Sequence, residues 1–372
     1  MNKSTPTSVI RFDEPNYLVK VQIITELLTV LSSQFNAINL RHFSIIIESV
    51  LSLSTAVTTL SVSRISSLSY RTVQRFYALK DVNWLLINLL LFKAFTFKAD
   101  KKYLIAADET VKAKAGKQTY GLGLFYSSLA KQVIKSVSFL AMSIIDIEHE
   151  TSYIIACKQV IADKDSLKEK TTKENKLSQN KSEAKPKGRP KGSKNKPKTE
   201  SKGVSYTVLK TLLGLVTSQL KVFLSNLQCF HLVLDGFYGH EDYLLLAFEH
   251  QLTIISKLKT NAHLILPFEG EQKGIGRPKT KGTKLDLDSI DSKFFIKTHK
   301  ENESDVTTNI YQFQARTPKM MNQLLNVVVL VHFHNITKRQ SRTVLFTNDL
   351  TLNADSIIKY YSLRFQTVRR CD

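Results

Sequence analysis

Apolar residues return every three or four positions through residues 16–98, as in Leu27, Leu28, Leu31, Phe35 and Ile38. That spacing predicts a bundle of amphipathic helices. The longest apolar run, "VNWLLINLLLFKAF" (82–95), is interrupted by Asn88 and Lys93 and is too short to span a bilayer, so it predicts a buried helix. Within "SSLSYRTVQRFYAL" (66–79), Ser69 is placed to cap a helix. Val73, Phe76 and Leu79 then face inward, and Arg71, Thr72, Gln74 and Arg75 face out. Such a helix suits a DNA groove, with Arg71 and Arg75 as contacts, or it is an ordinary surface helix.

From Tyr103 the pattern becomes that of strands. "YLIAADET" is a short apolar run ending in acid, and "SVSFLAMSIIDIE" with "TSYIIACKQV" predicts a hairpin. "FHLVLDGFYGH" is a further buried strand ending in acid and glycine, followed by a helix, "EDYLLLAFEH", and another strand, "LTIISKL". Strands leading into helices predict a mixed α/β layer. Residues 264–336 are mostly polar, and "KFFIKT" and "NVVVLVHFH" give them a β-rich character. Residues 164–202 hold almost no apolar side chains and many lysines, so burial cannot offset the entropy of ordering them.

Composition adds a partner. Lys and Arg number 53 against 32 Asp and Glu, a net charge of +21, with 42% hydrophobic residues. Enough apolar mass is present for real cores, and the charge points to a polyanion, nucleic acid before membrane. No signal-like stretch opens the chain. Cys157, Cys229 and Cys371 lack the spacing of a zinc site or disulfide framework, which leaves a reducing, cytoplasmic setting as the default.

Two acids stand out. Asp108 ends "YLIAAD" and Asp235 ends "HLVLD", each expected just past the carboxyl end of a buried strand, where open α/β sheets hold ligands. Carboxylates from neighbouring strands can share a hard cation such as Mg²⁺, which serves phosphodiester chemistry. Acids after strands also cap helices, and Glu109, Asp146, Glu241 and Asp242 lie close enough in sequence to leave the choice open. "KGRPKGSK" (187–194) and "GIGRPKTKG" (274–282) share an Arg-Pro core. Arg189, Lys191 and Arg277 either lie in an A·T minor groove or act as a sequence-blind basic tether. Phe237 and Tyr238 follow Asp235 and either stack on an unpaired base or pack on the sheet.

Together, "ADETVKAKAGKQTYGLGLFYSS", "LVLDGFYGH" and "FTNDLTLNADSIIKYYSLRFQ" resemble the DDE transposases of bacterial insertion sequences, in particular the insertion-sequence-four family. The resemblance implies a ribonuclease-H-like mixed sheet with flanking helices, preceded by a helical N-terminal domain and interrupted by a β-rich insertion. Asp108 and Asp235 become catalytic metal ligands for Mg²⁺ or Mn²⁺. The partner becomes double-stranded DNA, both transposon ends and target, handled by a homodimer. The expected organisation is a DNA-end-binding domain (1–98), a catalytic core in two parts (99–163 and 203–263), the basic linker (164–202) and the insertion (264–340). The start of the final catalytic helix follows (341–372).

The family signature is Tyr, two residues, Arg, three residues, Glu, six residues, Lys. Tyr361 and Arg364 take the first two places, as DNA contacts; Val368 stands where the Glu belongs, and the Lys falls past the last residue. The likeness stops after Gln366, so "TVRRCD" is expected to be aberrant sequence replacing the catalytic helix, with activity impaired and an apolar groove uncovered. Three readings compete: a transposase that cleaves and joins strands, an inactive DNA-binding fragment that occupies transposon ends, and a general nuclease.

Overall fold

A computed structural model describes residues 14–116, 118–127, 130–161, 203–272, 274, 276–300 and 305–369. The basic linker with Arg189 and Lys191 lies outside them. The chain divides into two compact units between Lys98 and Ala99.

The first unit is helical: α1 (Glu14–Leu31), α2 (Ala37–Ser52), α3 (Thr59–Ile65), α4 (Tyr70–Tyr77) and α5 (Trp84–Phe95). Four of these start at a side-chain cap. Asn36, Thr58, Ser69 and Asn83 each accept a hydrogen bond from the backbone N–H three residues on, which satisfies a donor that the helix itself leaves open. Leu31, Phe35, Ile46, Val62, Val73, Phe76 and Ile87 form the core. On α4, Val73 and Phe76 are buried while Arg71, Gln74 and Arg75 are exposed, as the spacing predicts. Among the described residues no helix is long and apolar enough to cross a membrane.

The second unit is built on one mixed sheet. Its strands are β1 (Lys102–Ala113), β2 (Gly123–Ser127), β3 (Gln132–Asp146), β4 (Thr151–Val160), β5 (Gln228–Leu234), β6 (Thr253–Leu258), β7 (Ile265–Pro267), β8 (Lys281–Lys284), β9 (Phe295–Lys300), β10 (Val306–Arg316), β11 (Leu324–His334) and β12 (Gln340–Thr347). Their order is β2-β3-β1-β5-β6-β12-β11-β10-β7-β8, with β4 on β3 and β9 on β10. The pairs β1–β5 and β5–β6 are parallel and the others antiparallel. The strands from residues 264–340 do not make a sheet apart; β11 pairs with β12 and so extends the same one.

Helices cover the sheet. α6 (Val204–Phe223) packs on β3 and β4 through buried residues including Leu209, Leu213 and Val216. α7 (Glu241–Glu249) packs on β6. α8 (Ala354–Leu363) lays Ala354, Ile357 and Leu363 against Leu104, Ala106, Val233, Ile255 and Leu345. These strand residues alternate along β1 with others that face the opposite way, which is why an apolar run flanked by two helical layers reads as continuous. A short helix α9 (Phe365–Arg369) follows and packs on β1, β3 and β4.

One expectation is corrected here. β1 does not end at Asp108. Its parallel ladder with β5 stops at Ala107, but its antiparallel ladder with β3 continues to Ala113, paired with Ser136. The backbone groups beyond Asp108 are satisfied by β3, so nothing forces the strand to break.

Candidate active site

In the parallel ladder Ala106 is aligned with Val233 and Ala107 with Leu234. Asp108 and Asp235 are the next residues on each strand, so two acids far apart in sequence emerge side by side, on strands about 4.8 Å apart. β5 ends there: Asp235 has extended backbone and leads into a 3₁₀ turn, Gly236–Tyr238. The Ser256 hydroxyl and the Tyr238 N–H both donate to the Asp235 carbonyl, at 2.8 and 2.9 Å. Gly239 lets the turn lie against β6, because a Cβ there would fall 2.2 Å from the Lys257 carbonyl oxygen.

Arg364, at the junction of α8 and α9, reaches the same place. Its guanidinium forms an ion pair with Asp108 and a second, at 3.3 Å, with Asp235. The Arg364 side chain is 5% exposed, against 13% for Asp108 and 44% for Asp235. The rings of Phe365 and Tyr361 lie 4.3 and 5.5 Å from the guanidinium. The Tyr361 hydroxyl donates to Asp235 at 3.3 Å, and burial pushes its pKa up to about 12.

The family model for DDE superfamily endonucleases matches residues 31–310, the span that carries both aspartates. This chain belongs to the DDE superfamily endonucleases. No curated protein matches it. For the endonuclease, membership implies a DNA substrate. The match ends before Tyr361 and Arg364, so their place at the aspartates rests on geometry alone.

Burial raises the Asp108 pKa, and the neighbouring Asp235 and Glu109 charges act in the same direction; Arg364 and the Glu109 N–H oppose them. Two carboxylates on adjacent strands are a suitable donor set for one hard cation, which takes its other ligands from water and phosphate. Among the described residues, however, no group of three acids, histidines or cysteines is arranged to hold a metal ion. The positive charge between the carboxylates belongs to Arg364. The pair fits a divalent cation only when that guanidinium is withdrawn.

The alternative acids go elsewhere. Glu109 accepts from Ser138 at 2.5 Å and Ser205 at 3.0 Å, on the face covered by α6. Asp146 pairs in register with Tyr103, at the start of β1. Glu241 and Asp242 sit in the first turn of α7, a favourable place for negative charge.

Tyr238 is corrected as a stacking candidate. It is 2% exposed, with Tyr243 and Phe237 edge-on at 4.9 and 5.2 Å, so no face is left for a base. Its hydroxyl is buried without a hydrogen-bond partner among the described residues. Phe237, 68% exposed, does keep a free face. Arg277 is exposed, whereas Tyr361 and Arg364, expected as DNA contacts, are engaged with the aspartates. The sequence named Arg364 only through a family signature; nothing local in it signals a double ion pair.

Proposed function

We propose that the endonuclease is a transposase of the insertion-sequence-four kind, cleaving and joining DNA strands at insertion-sequence ends on a ribonuclease-H-like core. One observation carries this reading: Asp108 and Asp235 leave neighbouring parallel strands at adjacent positions. In this proposal they hold Mg²⁺ or Mn²⁺ after Arg364 has moved away. A cation so held supplies charge stabilisation for phosphodiester displacement. Tyr361 and the backbone turn at Gly236–Tyr238 orient Asp235, while Ser138 and Ser205 keep Glu109 on the far side of β1.

Within the same proposal, residues 1–98 bind the transposon ends through Arg71 and Arg75. The linker (164–202), with Arg189 and Lys191, and the 264–340 segment, with Arg277, add sequence-blind affinity. Two copies join a pair of ends, in the cytoplasm. The core is divided as 99–163 and 203–263, and the final helical segment as 341–372.

A second reading has a specific observation in its favour. The guanidinium is ion-paired with both carboxylates and occupies the place between them, and Val368 stands four residues beyond Arg364 where the resemblance asks for Glu. On that reading the chain binds ends without cutting them. Incubating the protein and Mg²⁺ or Mn²⁺ with DNA carrying insertion-sequence ends separates the two. End-specific cleavage that Asp108→Ala and Asp235→Ala abolish, with binding retained, supports the transposase; binding without cleavage supports the second reading. Equal cutting of DNA without terminal repeats makes the chain a general nuclease and overturns both.

A further inference from the structure

The sheet face that carries Asp108 does not stop at Asp108. Along β1, residues of the same parity share its face, so Asp108, Thr110 and Lys112 lie in one row and Lys114 follows just past the strand. The register sets Lys112 beside Val137. The Lys114 N–H donates to the Lys135 carbonyl, which continues the ladder one step and sets those two residues side by side. On β3 and β2, Lys135 is opposite Leu124 and Val133 is opposite Tyr126, so all four share that face as well. Lys112, Lys114 and Lys135 are exposed, and so are Leu124, Val133 and Tyr126, the last at 62%.

The stretch of sequence that forms this ribbon carries charge of one sign. Between Glu109 and Asp146 the chain holds five lysines and no acidic residue. From Asp108 to Lys114 the strand advances about 20 Å. That is about six nucleotide steps of one strand in a duplex.

We propose that this ribbon is a DNA-backbone track leading away from the paired aspartates. Lys112, Lys114 and Lys135 contact successive phosphates of the duplex flanking the scissile bond. Tyr126, with Leu124 and Val133 beside it, packs on the sugars between them. Contacts of this kind fix register and orientation and carry no sequence information. A row of exposed lysines offers a phosphodiester strand counter-charge along its length. The track deepens the proposed function and rests on it, since it has purpose only if DNA is held at Asp108.

Fluorescence anisotropy with a labelled duplex, at 50 and 200 mM salt, tests the track on the full chain. Three neutralised phosphate contacts contribute a slope of about −2.7 in log K against log salt, which is about 40-fold in affinity over that range. The triple variant Lys112→Gln, Lys114→Gln, Lys135→Gln should therefore have a slope shallower by about 2.7 and lose about 40-fold less affinity than the parent between the two salt concentrations, with an unchanged melting temperature. Tyr126→Ala should weaken binding without altering the slope. If the parent binds DNA and the triple variant keeps its slope, the track is wrong while the proposed function stands. If the parent binds no DNA, both fail. Self-association that Tyr126→Ala abolishes, with the salt slope intact in the triple variant, assigns the ribbon to a second copy of the chain and overturns the track.

Discussion

Arg364 is ion-paired to Asp108 across 256 residues of sequence, and its side chain is 5% exposed. The same guanidinium pairs with Asp235, so one buried cation offsets one of the two carboxylate charges, while burial raises the pKa of Asp108. Removing it leaves those carboxylates facing one another. Arg364→Ala should therefore lower stability by about 3–5 kcal/mol, the usual result of breaking a buried pair from one side. Denaturant unfolding followed by circular dichroism measures it. The same variant should bind Mn²⁺, seen as a rise in melting temperature with added metal that the parent lacks. Equal Mn²⁺ responses in both proteins would show that the guanidinium does not occupy the cation's place.

Val368 gives a second prediction. It lies one helical turn after Arg364 in α9, at the position the family signature fills with Glu. Val368→Glu restores the acid of the family signature. Cleavage of insertion-sequence-end DNA in Mg²⁺ should rise at least about ten-fold, because charge stabilisation at the reacting phosphate improves with the ligand set. The signal should vanish when Asp235→Asn is added. No gain over the parent would mean that the third acid does not limit this chain.

Ser143 and Thr367 make a third. Their hydroxyls are 2.6 Å apart, and both residues are fully buried, so α9 is fastened to β3 by a dry hydrogen bond. Thr367→Val strands the Ser143 hydroxyl and should cost about 1–3 kcal/mol. Adding Ser143→Ala removes the orphan, and most of that loss should return. A double-mutant cycle by denaturant unfolding reads the coupling directly; simple additivity would refute the bond.

Local rules made much of the architecture legible. Ser69 was a cap in the sequence and is one in the structure; the runs around Asp146 form the expected hairpin, β3–β4; and alternation on α4 put its arginines outward. The adjacency of Asp108 and Asp235 was readable because each ends an apolar run, and parallel pairing aligns such ends. What failed needed partners from elsewhere. β1 continues past Asp108 because β3 pairs with it, and Tyr238 is buried because Tyr243 covers it. The Arg364 bridge depends on α8 docking on the sheet at one rotation, which is fixed by Ile357 and Leu363 finding Val233 and Leu345. Thr367, in the segment "TVRRCD" expected to be aberrant sequence, is fully buried, since a small hydroxyl residue suits the space over Ser143.

Asp146 sets the last prediction, in acid. Its carboxylate is 4% exposed and sits among His149 Nδ1 at 2.8 Å, the Glu148 and His149 N–H groups, and Lys101 at 3.9 Å. Burial would raise its pKa, but the hydrogen bonds from His149 and Glu148 outweigh it and hold the group below the usual 3.8. A carboxylate with a depressed folded pKa adds stability that is fully present above the unfolded value and is lost as pH falls through the folded one. Asp146→Asn should thus lower the melting temperature at pH 5 and above, through the loss of charged hydrogen bonds of about 1.5–3 kcal/mol each at most. From about pH 4 downward the gap between parent and variant should narrow, and it should close once the pH is below the depressed folded pKa, because the parent's carboxylate is then protonated and the two side chains carry the same charge. Melting curves from pH 7 to about pH 2.5 decide it. A gap that persists undiminished at the acid end would mean that Asp146 is not held ionised by these partners.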